Sequence, residues 1–279
     1  MTIHQNDTHP ETPLLAAGLL ISIRRIYIIL LWHIQRCFLV TIVYFVAFIV
    51  CIEPSEAGTT SDNLIINKQI LNNKTITDST RQLVVVLTKQ KTSRIATVHT
   101  FEMKENTWKR VFEPIPASIG KKGFAAISEK REGDLRTPLG TYLLGTSFGY
   151  FPKINTGLKY RQTTENDFWV DDATSSSYNK WVTGKPTAKS FEILKRKDNA
   201  YKYGVVIEYN TNPIVKGMGS AIFMHVWGGF NKPTAGCVAM SESNILRLLK
   251  WLNSAMKPMI VMGIDDITEN DDLLHQLTE

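Results

Sequence analysis

The stretch GSAIFMHVWGGFNKPTAGCVAM, residues 219–240, decides how the chain is read. Ala221 to Trp227 is an apolar run, and strand alternation puts Phe223, His225 and Trp227 on one face of it. Gly228, Gly229 and Pro233 then mark a loop. Cys237 follows Gly236 and lies just upstream of Ser241, a good N-cap for a helix over residues 242–252. Ile245, Leu248, Leu249 and Leu252 share one face of that helix. A strand end, a loop and a return can bring His225 and Cys237 side by side.

Working outward, residues 82–240 read mostly as strand and turn. Residues 82–88 (QLVVVLT) form a β-branched run, residues 94–104 a second and residues 108–112 a third. Residues 204–210 (GVVIEYN) are a strand ending in a turn, and residues 259–262 (MIVM) are a last strand. A helix is expected over residues 188–197. Short runs separated by turn signals give a mostly β core with a few short helices.

The N-terminal part reads differently. FLVTIVYFVAFIVCI, residues 38–52, is uncharged and apolar; Arg24, Arg25 and Arg36 precede it, and Ser55 and Ala57 supply small residues for a cleavage site. That is the order of an export signal. Its length also fits a short membrane anchor, with the basic side cytoplasmic. The expected organisation is thus a signal or anchor over 1–57 and a polar linker over 58–81. A catalytic domain over 82–264 and an acidic tail over 265–279 follow. The expected location is the cell envelope, either exported to the periplasm or wall or anchored in the inner membrane through residues 38–52.

The chain carries a net charge of +6. Its lysines are spread along the sequence without a finger or helix-turn-helix pattern, so nucleic acid is not an expected partner. A mixed solvated surface or an anionic wall polymer accounts for the charge.

Cys37 and Cys51 fall in the export segment, so the exported part keeps one cysteine, Cys237. It is either a small buried hydrophobe or a reactive thiol. A free thiol is only slightly ionised at neutral pH, and a neighbouring imidazole activates it by taking the proton; the resulting ion pair lowers the thiol pKa. Gly236 permits unusual backbone angles and close substrate approach. Backbone N–H groups at Cys237 and its predecessors are placed to stabilise an oxyanion. His225 also reads as a satisfied core histidine. A zinc site on His225 and Cys237 would need a further ligand such as His99, Asp171 or Asp172, and no ligand-spacing motif joins these. No cofactor or metal is expected. Asp171 and Asp172 read either as contacts for a cationic substrate group or as a solvated turn or cap. Arg136, Thr137 and Pro138 read as a turn with a paired, buried arginine. Trp227 reads as a cleft wall or a core aromatic.

The order strand-His, loop, Thr-x-Gly-Cys resembles the catalytic motif of the L,D-transpeptidase (YkuD-like) domain. Other segments agree in order: KREGD (130–134), RTPLGT (136–141), FWVDD (168–172) with Tyr178, Asn179, Trp181 and Val182, and YGVVIEYN (203–210). The resemblance covers roughly residues 82–263. It implies a mostly β sandwich cradling a cleft, in which Cys237 attacks the carbonyl after an L-centre of a peptidoglycan stem peptide and His225 acts as base. Gly236 and Ala235 fall at the oxyanion backbone, and Thr234 matches the family's Ser or Thr. An amine acceptor gives a cross-link. The competing expectations are an L,D-carboxypeptidase or amidase that uses water on the same linkages, and a non-catalytic wall-binding module. Ala235 stands where the commoner motif has histidine, and Ala239 where it has arginine or asparagine. These departures bear on substrate contacts more than on acyl transfer.

Overall fold

A computed structural model describes residues 75–126 and 128–265. The export segment, most of the linker and the tail beyond residue 265 lie outside the described residues. Among the described residues, no helix is long and apolar enough to cross a membrane.

The chain begins with a meander, β1 (Gln82–Thr88), β2 (Ile95–Lys104) and β3 (Thr107–Ser118). The short pair β4 (Phe124–Ala125) and β5 (Thr137–Pro138) leads into β6 (Gly140–Gly149) and β7 (Tyr160–Gln162). A three-stranded sheet follows, with β8 (Asp167–Val170) between β9 (Trp181–Thr183) and β10 (Phe191–Ile193). The last elements are β11 (Tyr203–Ile207), β12 (Phe223–Val226), β13 (Val238–Met240), α1 (Glu242–Trp251) and β14 (Met259–Ile264). Nine strands make the main sheet in the order β11-β12-β13-β3-β2-β1-β14-β6-β7, and a further β11–β6 pairing joins its far parts. The mostly β architecture is the expected one. The added closure makes the layers one continuous sheet, which leaves few open edges.

The apolar run of β1 is buried throughout. Val84 and Val86 join the main core with Ile115, Val205, Met224 and the α1 residues Ile245, Leu248 and Leu249. Leu83, Val85 and Leu87 pack on the other side with Phe101, Trp108 and Val261. A strand covered on both faces has no polar side to show, which explains the unbroken β-branched run.

Two expectations need correction. Residues 188–197 are not helical: Phe191 and Ile193 pair with Val170 and Phe168 across the small sheet, and Phe168 and Phe191 meet edge-on at 5.0 Å. Tertiary pairing overrides the local pattern there. The third strand runs on to Ser118, through Pro114 and Pro116. It meets β13 only at the Ser118–Ala239 pair, so these prolines lie where one edge has no ladder to break. β6 was not expected, because three glycines disguise it.

The helix is capped as its sequence implies. Ser241 accepts a hydrogen bond from the Asn244 N–H, Glu242 sits in the first turn and Lys250 in the last. Ser241→Ala is expected to lower unfolding stability by about 1 kcal/mol, read as a shift in urea midpoint at constant slope.

Candidate active site

β12 and β13 run parallel, with His225 opposite Ala239. Cys237 immediately precedes β13, beside Phe223, whose N–H donates to Cys237 Sγ at 3.4 Å. Alternation along β12 sends Met224 and Val226 into the main core. Phe223 and Cys237 join a separate cluster with Phe148, Trp169 and Tyr201. His225 and Cys237 are both buried, at 8% and 7% exposure, and both line one cleft of about 480 Å³.

Each of the two is paired with a backbone carbonyl rather than with the other. His225 Nδ1 lies 2.8 Å from Val226 O. A carbonyl only accepts, so this contact places a proton on Nδ1, and the Ala200 carbonyl also bears on the ring. Cys237 Sγ donates to Ala221 O at 3.2 Å. Burial lowers the His225 pKa to about 4. Burial, reinforced by the Glu192 carboxylate, pushes the Cys237 thiol up to about 12. Burial thus disfavours the charged form of both groups.

The loop before Cys237 is held by Thr234. Its hydroxyl donates to Cys237 O at 2.6 Å and accepts from the Gly236 N–H at 3.1 Å. The Gly236 N–H is thus already engaged. Among the described residues, none accepts from the Ala235 N–H. Gly236 is needed for a close approach, but to the protein itself: a Cβ there would lie 2.9 Å from Arg136 O.

The other expected residues separate. Trp227, Thr234, Ala235 and Asp171 line the cleft. Trp227 packs edge-on against Phe230 at 5.9 Å. Asp172 caps a turn instead: its carboxylate accepts from the Thr174 hydroxyl (2.7 Å) and from the N–H groups of Thr174 and Lys189 (both 2.9 Å). Those bonds, the Thr174 hydroxyl first, hold its pKa down at about 2. The buried cation of the 130–138 turn is Lys130, not Arg136. Lys130 is 2% exposed and pairs with Asp134 at 2.8 Å, while Arg136 gives Asp134 only its backbone N–H.

Four more cleft residues escaped sequence reasoning: Glu192, Arg196, Asp198 and Tyr201. Arg196 grips Asp198 through two bonds of 2.9 and 2.7 Å, which hold the Asp198 pKa at about 2. Tyr201 donates to Glu192 Oε2 at 2.8 Å. No motif marks these residues; β10 and the turn before β11 bring them in. Among the described residues, no group of three or more His, Cys, Asp or Glu side chains is arranged to hold a metal ion.

The buried neutral histidine has a consequence for stability. Its folded pKa, about 4, lies below the ordinary 6.5, so the unfolded chain binds the proton more readily. The contribution is full above pH 6.5 and is lost as pH falls towards 4. It amounts to roughly 3 kcal/mol. Urea unfolding at pH 7.5 and 4.5 is expected to show that loss, and His225→Gln is expected to reduce it.

Residues 80–261 match the model of the L,D-transpeptidase catalytic domain, YkuD. Among solved structures, the helical cell shape determining protein Pgp2 from Campylobacter jejuni is 18% identical, covering 66% of this chain and 48% of that one, with a TM-score of 0.37. Bd1075 from Bdellovibrio bacteriovorus is 16% identical over 71% of this chain and 55% of that one, with a TM-score of 0.38. The chain spans about half the length of each. No curated protein matches the sequence. With the family match running from before β1 into β14 and taking in both His225 and Cys237, the chain belongs to the L,D-transpeptidase (YkuD) catalytic-domain family.

Proposed function

We propose that this protein is a cysteine acyltransferase acting on peptidoglycan stem peptides in the cell envelope. The observation that carries this reading is the placement of Cys237 and His225 in one cleft. Burial disfavours the thiolate, so in this reading the nucleophile is made during attack.

In that scheme His225 takes the thiol proton as Sγ bonds to the carbonyl carbon after the L-centre. Negative charge collects on the carbonyl oxygen, beside the Ala235–Gly236 backbone. Collapse breaks the bond to the terminal D-residue. Its amine leaves with the proton from His225, and a thioester remains on Cys237. An acceptor amine then attacks the thioester, His225 removes its proton, and the thiol is released with the cross-link formed. Water in place of the amine yields a trimmed peptide. In this scheme Asp171 and Trp227, which line the cleft, contact the substrate.

The test is incubation with tetrapeptide muropeptides and chromatography of the products. Cross-linked dimers are expected. Tripeptides alone would reassign the enzyme as an L,D-carboxypeptidase, and unchanged substrate would leave only a wall-binding role.

A further inference from the structure

We propose that Glu192 is a positioning residue for Cys237 and His225, acting through the ring of Tyr201. The proposal rests on the reading of those two residues as nucleophile and base.

Tyr201 stands directly behind the pair. It is 4% exposed, and its ring meets His225 edge-on at 5.2 Å and Phe223 at 5.6 Å. The Arg196 guanidinium lies 5.2 Å from the ring centroid. Ring contacts with Phe148, Phe223 and His225 hold the face and edge of Tyr201, but not its hydroxyl. The tether to Glu192, 2.8 Å from phenol to carboxylate, fixes its depth and angle. Through that ring, the imidazole acquires a fixed neighbour besides its bond to Val226 O.

A buried phenol does need a partner, but a neutral one would serve. An amide or a backbone carbonyl would accept the same bond without burying a carboxylate, which is costly. Here burial raises the Glu192 pKa, and the Asp171 charge adds to the rise. The thiol also feels that carboxylate. Three charged groups act on Cys237: Glu192 against ionisation, Lys130 and Arg196 in favour. Both cations already hold their own carboxylates, Lys130 with Asp134 at 2.8 Å and Arg196 with Asp198 at 2.7 Å. Glu192 has only the longer 3.5 Å contact to Arg196. The geometry gives Glu192 the role of a hydrogen-bond acceptor that fixes Tyr201, and its place in the same cleft as Cys237 lets its charge oppose the thiolate.

Three variants separate these roles from simple packing. Glu192→Gln keeps an acceptor and removes the charge. Glu192→Ala removes both. Tyr201→Phe keeps the ring and removes the tether. Two readouts are needed on the full chain. One is the pH dependence of iodoacetamide labelling at Cys237, quantified on its proteolytic peptide; the other is turnover of tetrapeptide muropeptides. In Glu192→Gln the labelling profile is expected to move about one pH unit lower, giving about tenfold faster labelling near neutrality. Tyr201→Phe and Glu192→Ala are expected to lose ~10- to 100-fold in kcat with KM little changed, and Glu192→Gln to recover most of the Glu192→Ala loss. If all three variants keep the wild-type labelling profile and kcat, whatever their melting temperatures, the proposal is wrong. If the wild type turns over no muropeptide, the labelling profile decides: a shift in Glu192→Gln supports the proposal while the acyltransferase reading fails, and an unshifted profile sinks both.

Discussion

Cys237→Ala is expected to abolish product formation of every kind, cross-linked or hydrolysed, by at least about 10³-fold. The expectation follows from chemistry, because no other thiol lies in the described cleft. The fold should survive. Cys237 contributes one sulfur to a cluster held by Phe148, Trp169, Tyr201 and Phe223, whose mutual edge-on contacts do not depend on it. The variant should therefore melt within a few degrees of wild type while being inactive. Chromatography of muropeptide products beside a thermal melt checks both halves. An inactive protein that is also unfolded would say nothing of catalysis, which is why the melt matters.

His225→Gln is expected to cost ~10²- to 10⁴-fold in kcat, the usual range for a lost general base. Here the upper part of that range is expected. The thiol at about 12 cannot compensate by ionising alone at neutral pH. Activity of the variant should rise steeply with pH and keep rising beyond the wild-type plateau, as hydroxide replaces the missing base. Stability should move the other way. Removing a histidine that folding holds neutral takes away the proton uptake that favours unfolding between pH 6.5 and 4. A variant that loses activity while gaining acid tolerance is hard to explain by misfolding. Kinetic pH profiles and urea unfolding at two pH values test the pair of effects together.

Much of the fold was legible because the strands carry their own signals. The β1 run and the β12 alternation read correctly, and α1 announced itself through Ser241 and the 245–248–249 stripe. What stayed hidden depends on partners far away in the chain. Phe191 and Ile193 look helical until β8 pairs with them. β6 is diluted by glycines, and two of these are needed for close contacts. A Cβ at Gly149 would meet Lys202 O at 2.5 Å, and one at Gly145 the Glu208 carboxylate at 1.9 Å.

The site divides in the same way. The 219–240 segment carries both His225 and Cys237, so local spacing was enough to join them. Asp171 and Asp172 are neighbours in sequence, yet one lines the cleft and the other caps a turn, a split decided by which way each side chain leaves the end of β8. Glu192 and Tyr201 lie on separate elements with no shared motif, and only folding places their 2.8 Å bond behind the imidazole. The protonation state was beyond sequence as well. Spacing brings a thiol and an imidazole together, but burial decides whether they ionise.

The central claim is a thioester on Cys237, and trapping it is the most direct test. The protein is mixed with tetrapeptide muropeptide, quenched in acid within seconds, digested and examined by mass spectrometry. The peptide containing Cys237 is expected to gain the mass of the muropeptide less its terminal D-residue and one water, and hydroxylamine is expected to remove the gain. Product accumulating while Cys237 stays unmodified, or an equal adduct on the Cys237→Ala protein, would contradict it.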